Sequence, residues 1–140
     1  MPSEWSDHQL HVTIASDGDL LSVRQTVLSL ALELGFTATE TVGIVTALSE
    51  MARNMLTYAG RGEIIVGRLR ESDREGIVIT ARDEGPGIPD VAKALLDGYS
   101  TSGGLGMGLP GIKRLMDAFH IVTEPRKGTT VTVEKWLNHR

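Results

Sequence analysis

The sequence predicts an α+β fold: a mixed, mainly antiparallel sheet with helices on one face, forming a two-layer sandwich. Three observations lead there. Two stretches of helical periodicity, each with its own start and stop signals, lie back to back in the first half of the chain. Alternating strands further on are joined by tight turns, which makes the paired strands antiparallel neighbours. The length, 140 residues, suits one domain, so helices and sheet must share one core, spanning residues 1–140 with a flexible start over 1–9.

Leu10 to Ala15 reads as a short strand, with Leu10, Val12 and Ile14 alternating against His11 and Thr13. Ser16 to Asp19 can cap a helix that carries Leu20, Val23, Val27, Leu30, Ala31 and Leu34 at helical spacing. Gly35 can end it. Thr37 and Glu40 have capping-box spacing, in which each side chain satisfies an orphan donor at a helix start. The second helix continues through Val42, Val45, Leu48, Ala52, Met55 and Leu56, and Gly60 stops it. Strands follow at Glu63–Leu69 and Gly76–Ala81, joined by the charged turn Glu71-Ser72-Asp73-Arg74. Asp90 opens a short helix through Val91, Ala94, Leu95 and Leu96, and the Gly/Ser/Thr-rich run from Gly98 to Gly108 holds no regular element. Pro110 suits the first turn of a helix over Gly111–Phe119. A strand over His120–Thr123, the turn Pro125-Arg126-Lys127-Gly128 and an alternating strand over Thr129–Trp136 complete the chain.

An apolar share of 41% is that of a soluble globular protein, and a chain this long buries about two-thirds of its unfolded surface. A net charge of −4 gives no footprint for nucleic acid. Without cysteine there are no disulfides and no thiolate metal sites, which is compatible with a cytoplasmic setting. The polar N-terminus lacks a signal pattern, and no apolar run approaches a membrane span.

Glu50 and Asn54 are four apart and share a helix face beside the Val45, Leu48 and Ala52 side. Such a spacing also arises by chance in many solvated helices. Asp83-Glu84-Gly85-Pro86-Gly87 follows a strand. Its glycines allow close backbone approach, and an acid held there can accept from an exocyclic amine, although Asp, Gly and Pro are also the vocabulary of plain turns. Gly103-Gly104-Leu105-Gly106-Met107-Gly108 leads into a helix near Leu109 and Pro110. Glycines there let several N–H groups meet one anion at a helix N-terminus. It is not a Walker A loop, because no Lys-Ser/Thr follows. It is not a dinucleotide fingerprint, because Leu109 stands at the third glycine position and no βαβ unit surrounds it. A flexible linker is the plain alternative, which Leu105, Met107 and Leu109 argue against.

In this order the three segments resemble the N, G1 and G2 boxes of the GHKL (Bergerat-fold) ATPases. Glu50 and Asn54 match the first, Asp83, Gly85 and Gly87 the second, and Gly104, Gly106 and Gly108 the third. Gly128-Thr129-Thr130 matches the late Gly-Thr motif. The resemblance runs from about Leu10 to the C-terminus. Within the superfamily the chain is similar to the small bacterial anti-sigma and switch serine kinases. The Thr101-Ser102-Gly103-Gly104 stretch and the Leu109-Pro110-Gly111-Ile112-Lys113-Arg114 run place it nearer the switch kinases of the stressosome.

The resemblance implies a Bergerat sandwich with a mobile ATP lid, and ATP and Mg²⁺ as cofactors. It gives Asn54 to the metal, Asp83 to the adenine amino group, the Gly103–Gly108 amides to the phosphates and Thr129 to the base edge. Glu50 becomes the general base toward a Ser or Thr hydroxyl of a partner. Gly85, Gly87, Ile88, Leu105, Met107 and Leu109 fall within the nucleotide boxes. Ser100 and Thr101 belong to the lid, and Arg53 reaches either phosphate or partner. The implied substrates are STAS-domain proteins of the stressosome, and the implied target of the released kinase is a PP2C-type phosphatase. Two other readings share the fold: an anti-sigma factor that sequesters a sigma subunit, and a detached histidine-kinase ATPase domain. The second lacks a His-Glu/Asp pattern with Pro on a helical hairpin. His8, His11, His120 and His139 are scattered without ligand spacing. Trp136 is expected to pack at the last strand, and Met51, Met55 and Met107 to fill core and lid.

Overall fold

The computed structural model describes residues 9–85 and 108–137. Its elements run β1 (Leu10–Ile14), α1 (Asp17–Leu34), α2 (Ala38–Ala59), β2 (Gly62–Glu71), β3 (Arg74–Asp83), α3 (Gly108–Leu115), β4 (Ala118–Glu124) and β5 (Gly128–Trp136). The short helix expected at Asp90, the lid, and all but the last residue of the N-terminal stretch 1–9 lie outside the described residues.

The helix ends form where the sequence places them. Ser16 accepts from the Asp19 amide, and Gly35 closes α1 in the left-handed region at φ 107°. Both halves of the Thr37–Glu40 capping box are made, at 3.1 and 2.9 Å, and Gly60 closes α2 at φ 83°.

The sheet has the order β1-β2-β3-β5-β4. Each of the four described pairings is antiparallel. Strands β2 and β3 are longer than the sequence suggests, because the hairpin closes at Glu71↔Arg74 over Ser72 and Asp73 alone. Ser72 takes φ 54° there, a positive value at the first turn position that suits a two-residue hairpin loop. One consequence bears on function: Asp83 is the last residue of β3, paired with Thr129 of β5, rather than part of a free turn.

A single core joins the layers. Ile14, Ile64, Val66, Ile77, Ile79 and Val133 face the helices from the sheet, and Val23, Val27, Ile44, Ala47 and Leu48 meet them from α1 and α2. Helix α2 lies between α1 and α3 and rests on the central strands, so it is buried over much of its circumference. Met51 and Met55 are core residues, as expected. Val42, assigned to the apolar stripe, is 63% exposed. It sits in the second turn of α2, where Thr41 and Ile44 take the buried side instead.

Helix α3 departs from the expected Gly111–Phe119. It starts three residues earlier and ends at Leu115. Pro110 still lies in its first turn, where its missing N–H costs nothing. The end is set by the sheet. Asp117 donates its N–H to the Glu134 carbonyl at 2.8 Å, and its Oδ2 accepts from the Trp136 amide at 2.8 Å. Ala118 and Phe119 then pair with Glu134 and Val133, so β4 takes residues that helical periodicity alone would give to α3. Trp136 packs at the strand end, with the Arg74 guanidinium 3.8 Å above its ring.

Candidate functional site

Helix α2 buries six residues in a row, from Ala47 to Ala52. The burial takes in Glu50, which is 7% exposed. Its Oε2 accepts from an Arg53 guanidinium N–H at 2.8 Å, one turn along the helix. Its Oε1 is buried and, among the described residues, has no hydrogen-bond partner. A buried carboxylate oxygen without a donor costs stability, about 1–3 kcal/mol or more for a charged group. A buried polar atom of this kind calls for a partner such as a water, an ion or a substrate group. Asn54 is half-buried on the same face, one turn beyond Glu50.

Asp83 ends β3, and its Oδ1 accepts from the Gly85 amide at 2.9 Å and from the Thr129 amide at 3.3 Å. Those two bonds fix the carboxylate and, among the described residues, leave Oδ2 as a free acceptor. Thr129 is buried, and its hydroxyl lies 2.9 Å from that of Thr123. Thr123 in turn donates to the Gly128 carbonyl at 3.3 Å. With Thr123 donating there, Thr129 donates to Thr123, and its oxygen keeps an acceptor lone pair.

Two glycines make this corner possible. Gly128 has φ 123°, and a Cβ there would lie 2.0 Å from the Asp83 carbonyl oxygen. A Cβ on Gly85 would lie 2.6 Å from the Ala59 Cβ. The second contact also locates the corner: the segment after β3 touches the last residue of α2. From Ala59 back to Glu50 the helix rises on the order of 13 Å. The Asp83 corner therefore lies toward one end of α2, and Glu50 with Asn54 lies further back along it.

Gly108 is the first residue of α3, and Leu109, the next, is buried. The first turn of α3 carries no acidic residue, while Lys113 and Arg114 sit in the last. Its N-terminal amides thus face no competing carboxylate of their own. Gly87, Ile88, Ser100, Thr101, Gly103, Gly104, Leu105, Gly106 and Met107 lie outside the described residues. No cluster of three or more His, Asp or Glu that could hold a metal occurs among the described residues. A cleft of about 800 Å³ borders Asp83 and Gly128, but Thr13, Glu63, Arg82 and Thr130 also line it. These belong to the sheet face turned away from α2, and neither Glu50 nor Asn54 lines this cleft.

Sequence reasoning missed Ala59 and Thr123 as parts of the corner. Ala59 gives no signal beyond its place before Gly60. Thr123 could be found only by pairing β4 with β5, because the register Thr123↔Thr129 sets the two hydroxyls together.

The chain is 46% identical over 126 residues to the serine/threonine-protein kinase RsbT of Bacillus subtilis (strain 168), covering 90% of this chain and 95% of that one. It is 35% identical over 119 residues to the anti-sigma F factor of Halalkalibacterium halodurans, covering 81% and 82%. Among solved structures, the histidine kinase domain of the E. coli osmosensor EnvZ, determined by NMR, matches with a TM-score of 0.45 and 27% identity over 71% of this chain and 67% of that one. The model of the histidine kinase-like ATPase domain matches residues 14–135, a span that takes in α2 with its acid and amide, the Asp83 corner and the start of α3. The chain belongs to the histidine kinase-like ATPase family of the GHKL type.

Proposed function

We propose that this protein is an ATP-dependent protein-serine/threonine kinase that acts in the cytoplasm on STAS-domain proteins of a stressosome. Freed from them, it binds and activates a PP2C-type phosphatase. The observation that carries the reading is the buried Glu50 carboxylate, one oxygen of which has no donor among the described residues. It stands one turn from Asn54 on a helix whose far end meets the Asp83 corner. The 46% identity to a serine/threonine-protein kinase over most of both chains supports the same activity.

In this reading the free Oδ2 of Asp83 accepts from the adenine amino group, and Thr129 offers an acceptor at the base edge. Glycine amides from Gly103 to Gly108, Leu105 and Met107 included, and the N-terminus of α3 hold phosphate oxygens. Gly85, Gly87 and Ile88 let the backbone close on the base, and Ser100 and Thr101 cover the nucleotide. Leu109 anchors the loop's exit in the core. Mg²⁺ fits as a hard cation with one protein oxygen, the Asn54 amide, and phosphate and water oxygens for the remainder. When bound, it offsets negative charge on the phosphates. Glu50 acts through Oε1. It takes the proton of the acceptor hydroxyl as that oxygen bonds to the γ-phosphorus. The bond from phosphorus to the bridging oxygen breaks, and ADP leaves with the electron pair.

The test uses the purified chain, Mg-ATP and its STAS-domain partner. Phosphoserine or phosphothreonine on the partner is expected, and Glu50→Gln should abolish transfer while ATP still binds. Normal transfer by Glu50→Gln would remove the general base, and absence of transfer by the unaltered chain would remove the activity. The relation to an anti-sigma F factor favours a second reading, sequestration of a sigma subunit. A stable complex with a sigma subunit, and none with STAS proteins, would decide for it.

A further inference from the structure

The geometry points to Arg53 as a positioning residue that selects which oxygen of Glu50 receives the acceptor proton. The inference rests on the kinase reading above and assigns a task to a residue that the sequence leaves between phosphate and partner.

Glu50 has two carboxylate oxygens in different states. Oε2 is bound to the Arg53 guanidinium at 2.8 Å. Oε1 is buried and without a donor among the described residues. A carboxylate carried on a side chain with several rotatable bonds would otherwise exchange its oxygens by rotation. The Arg53 bond breaks that equivalence. One oxygen is held by a charge-assisted donor, and the other is buried with no donor among the described residues. A proton acceptor in phosphoryl transfer has to be presented in a fixed direction, since the contribution of a base depends on hydrogen-bond reach to the proton it takes.

The two ends of the ion pair differ in environment. The Glu50 side chain is 9% exposed and that of Arg53 41%. The carboxylate therefore sits in the interior, while the guanidinium stands at the rim with part of its fork in solvent. A guanidinium used only to hold ATP phosphate would have no reason to spend a donor on the proposed base. An ion pair kept only for stability would not leave the carboxylate's second oxygen without a donor among the described residues. Together the two facts fit a clamp: Arg53 binds the oxygen that is not used and so aims the one that is. The three-residue spacing along α2 makes the arrangement local, so it needs no partner chain to form.

The test measures phosphate transfer to the STAS-domain partner, or hydrolysis with water as acceptor, alongside ATP affinity from titration with a fluorescent ATP analogue. Arg53→Ala should lower kcat about ten- to a hundredfold and change ATP affinity less than twofold. Added guanidinium ion should restore part of the lost turnover in Arg53→Ala. It should restore none in the double variant with Glu50→Gln. Arg53→Lys should keep more turnover than Arg53→Ala. The crystal structure of Arg53→Ala should show the Glu50 carboxylate turned or in two orientations. A loss of ATP affinity matching the loss of turnover would make Arg53 a phosphate ligand and overturn the inference. So would unaltered turnover in Arg53→Ala, or an unmoved carboxylate together with no guanidinium rescue. Should Glu50→Gln itself transfer normally, the kinase reading fails. A Glu50-dependent enzyme indifferent to Arg53 means that only the clamp fails.

Discussion

Asp83 shows how much one residue's chemistry depends on which of its atoms are already occupied. Oδ1 is held by the amides of Gly85 and Thr129, so in the proposed nucleotide site recognition of the base would fall to Oδ2. Asp83→Asn can keep the held oxygen in place, but it puts an NH₂ where an adenine amino group would donate. Two donors then face each other, and a polar pair lost at a buried site typically costs a few kcal/mol. ATP affinity by calorimetry should fall at least about tenfold, which corresponds to about 1.4 kcal/mol, with the urea midpoint nearly unchanged. Unchanged affinity would take Asp83 out of the base site. Gly128→Ala acts on the same corner by steric means, because its Cβ would overlap the Asp83 carbonyl and Gly128 has positive φ. Stability should drop by about 2 kcal/mol or more, and ATP affinity should fall with it; a variant as stable as the parent would contradict the geometry. Asp83 and Gly128 are both visible in the sequence as turn-forming residues. Their meeting is not, because the β3–β5 register brings together positions that only the folded sheet makes neighbours.

At the scale of elements, helix ends were legible and strand competition was not. Ser16, Gly35, Thr37, Glu40 and Gly60 carry their signals in their own side chains or lack of them, and each cap forms as read. The capping box positions the first turn of α2, the helix that carries Glu50 and Asn54. Thr37→Ala removes the acceptor for the Glu40 amide, and a loss of about 1 kcal/mol in urea unfolding is expected. Because Thr37 lies more than three turns from Glu50, kcat with saturating ATP should be unchanged; a parallel loss of turnover would mean that α2 moves as a unit when its start frays. The start and end of α3 were not legible. Helical periodicity over Gly111–Phe119 is local, whereas the decision to break at Met116 and Asp117 is made by hydrogen bonds to Glu134 and Trp136 on another strand. The direction of Arg53 was hidden for a similar reason. Sequence spacing permits the Glu50 pair, but the burial that makes it consequential comes from α1, α3 and the sheet closing around α2.

Over the whole molecule the sheet separates two tasks by face. The helix-covered side holds the core and Glu50, while the other side carries a tie of polar and charged side chains across three strands. There Glu63 of β2 is bonded to His11 of β1 and to Arg82 of β3. The hydrogen bond from His11, and then that from Arg82, hold the Glu63 carboxyl below the usual glutamate range. A depressed folded-state value means that the ionised form is favoured by folding. The tie therefore contributes fully above the ordinary glutamate pKa of about 4.3, and its contribution is lost as pH falls through the lower folded value. The pair is solvent-facing and screened, so the effect is modest, but its sign is fixed. Glu63→Gln should be less stable than the parent at neutral pH, and the difference should close on acidification below about pH 4. Strand β1 is an edge strand whose described sheet neighbour is β2, so hydrogen exchange should rise first in Leu10–Ile14. ATP affinity at neutral pH should stay within twofold of the parent, because Glu63 and the Asp83 Oδ2 act on opposite sides of the sheet. A stability difference that persists unchanged in acid would show that Glu63 acts through packing and not through its charge. A large loss of ATP affinity would show that the two faces are coupled through Arg82, the residue that separates Asp83 from the sheet interior along β3.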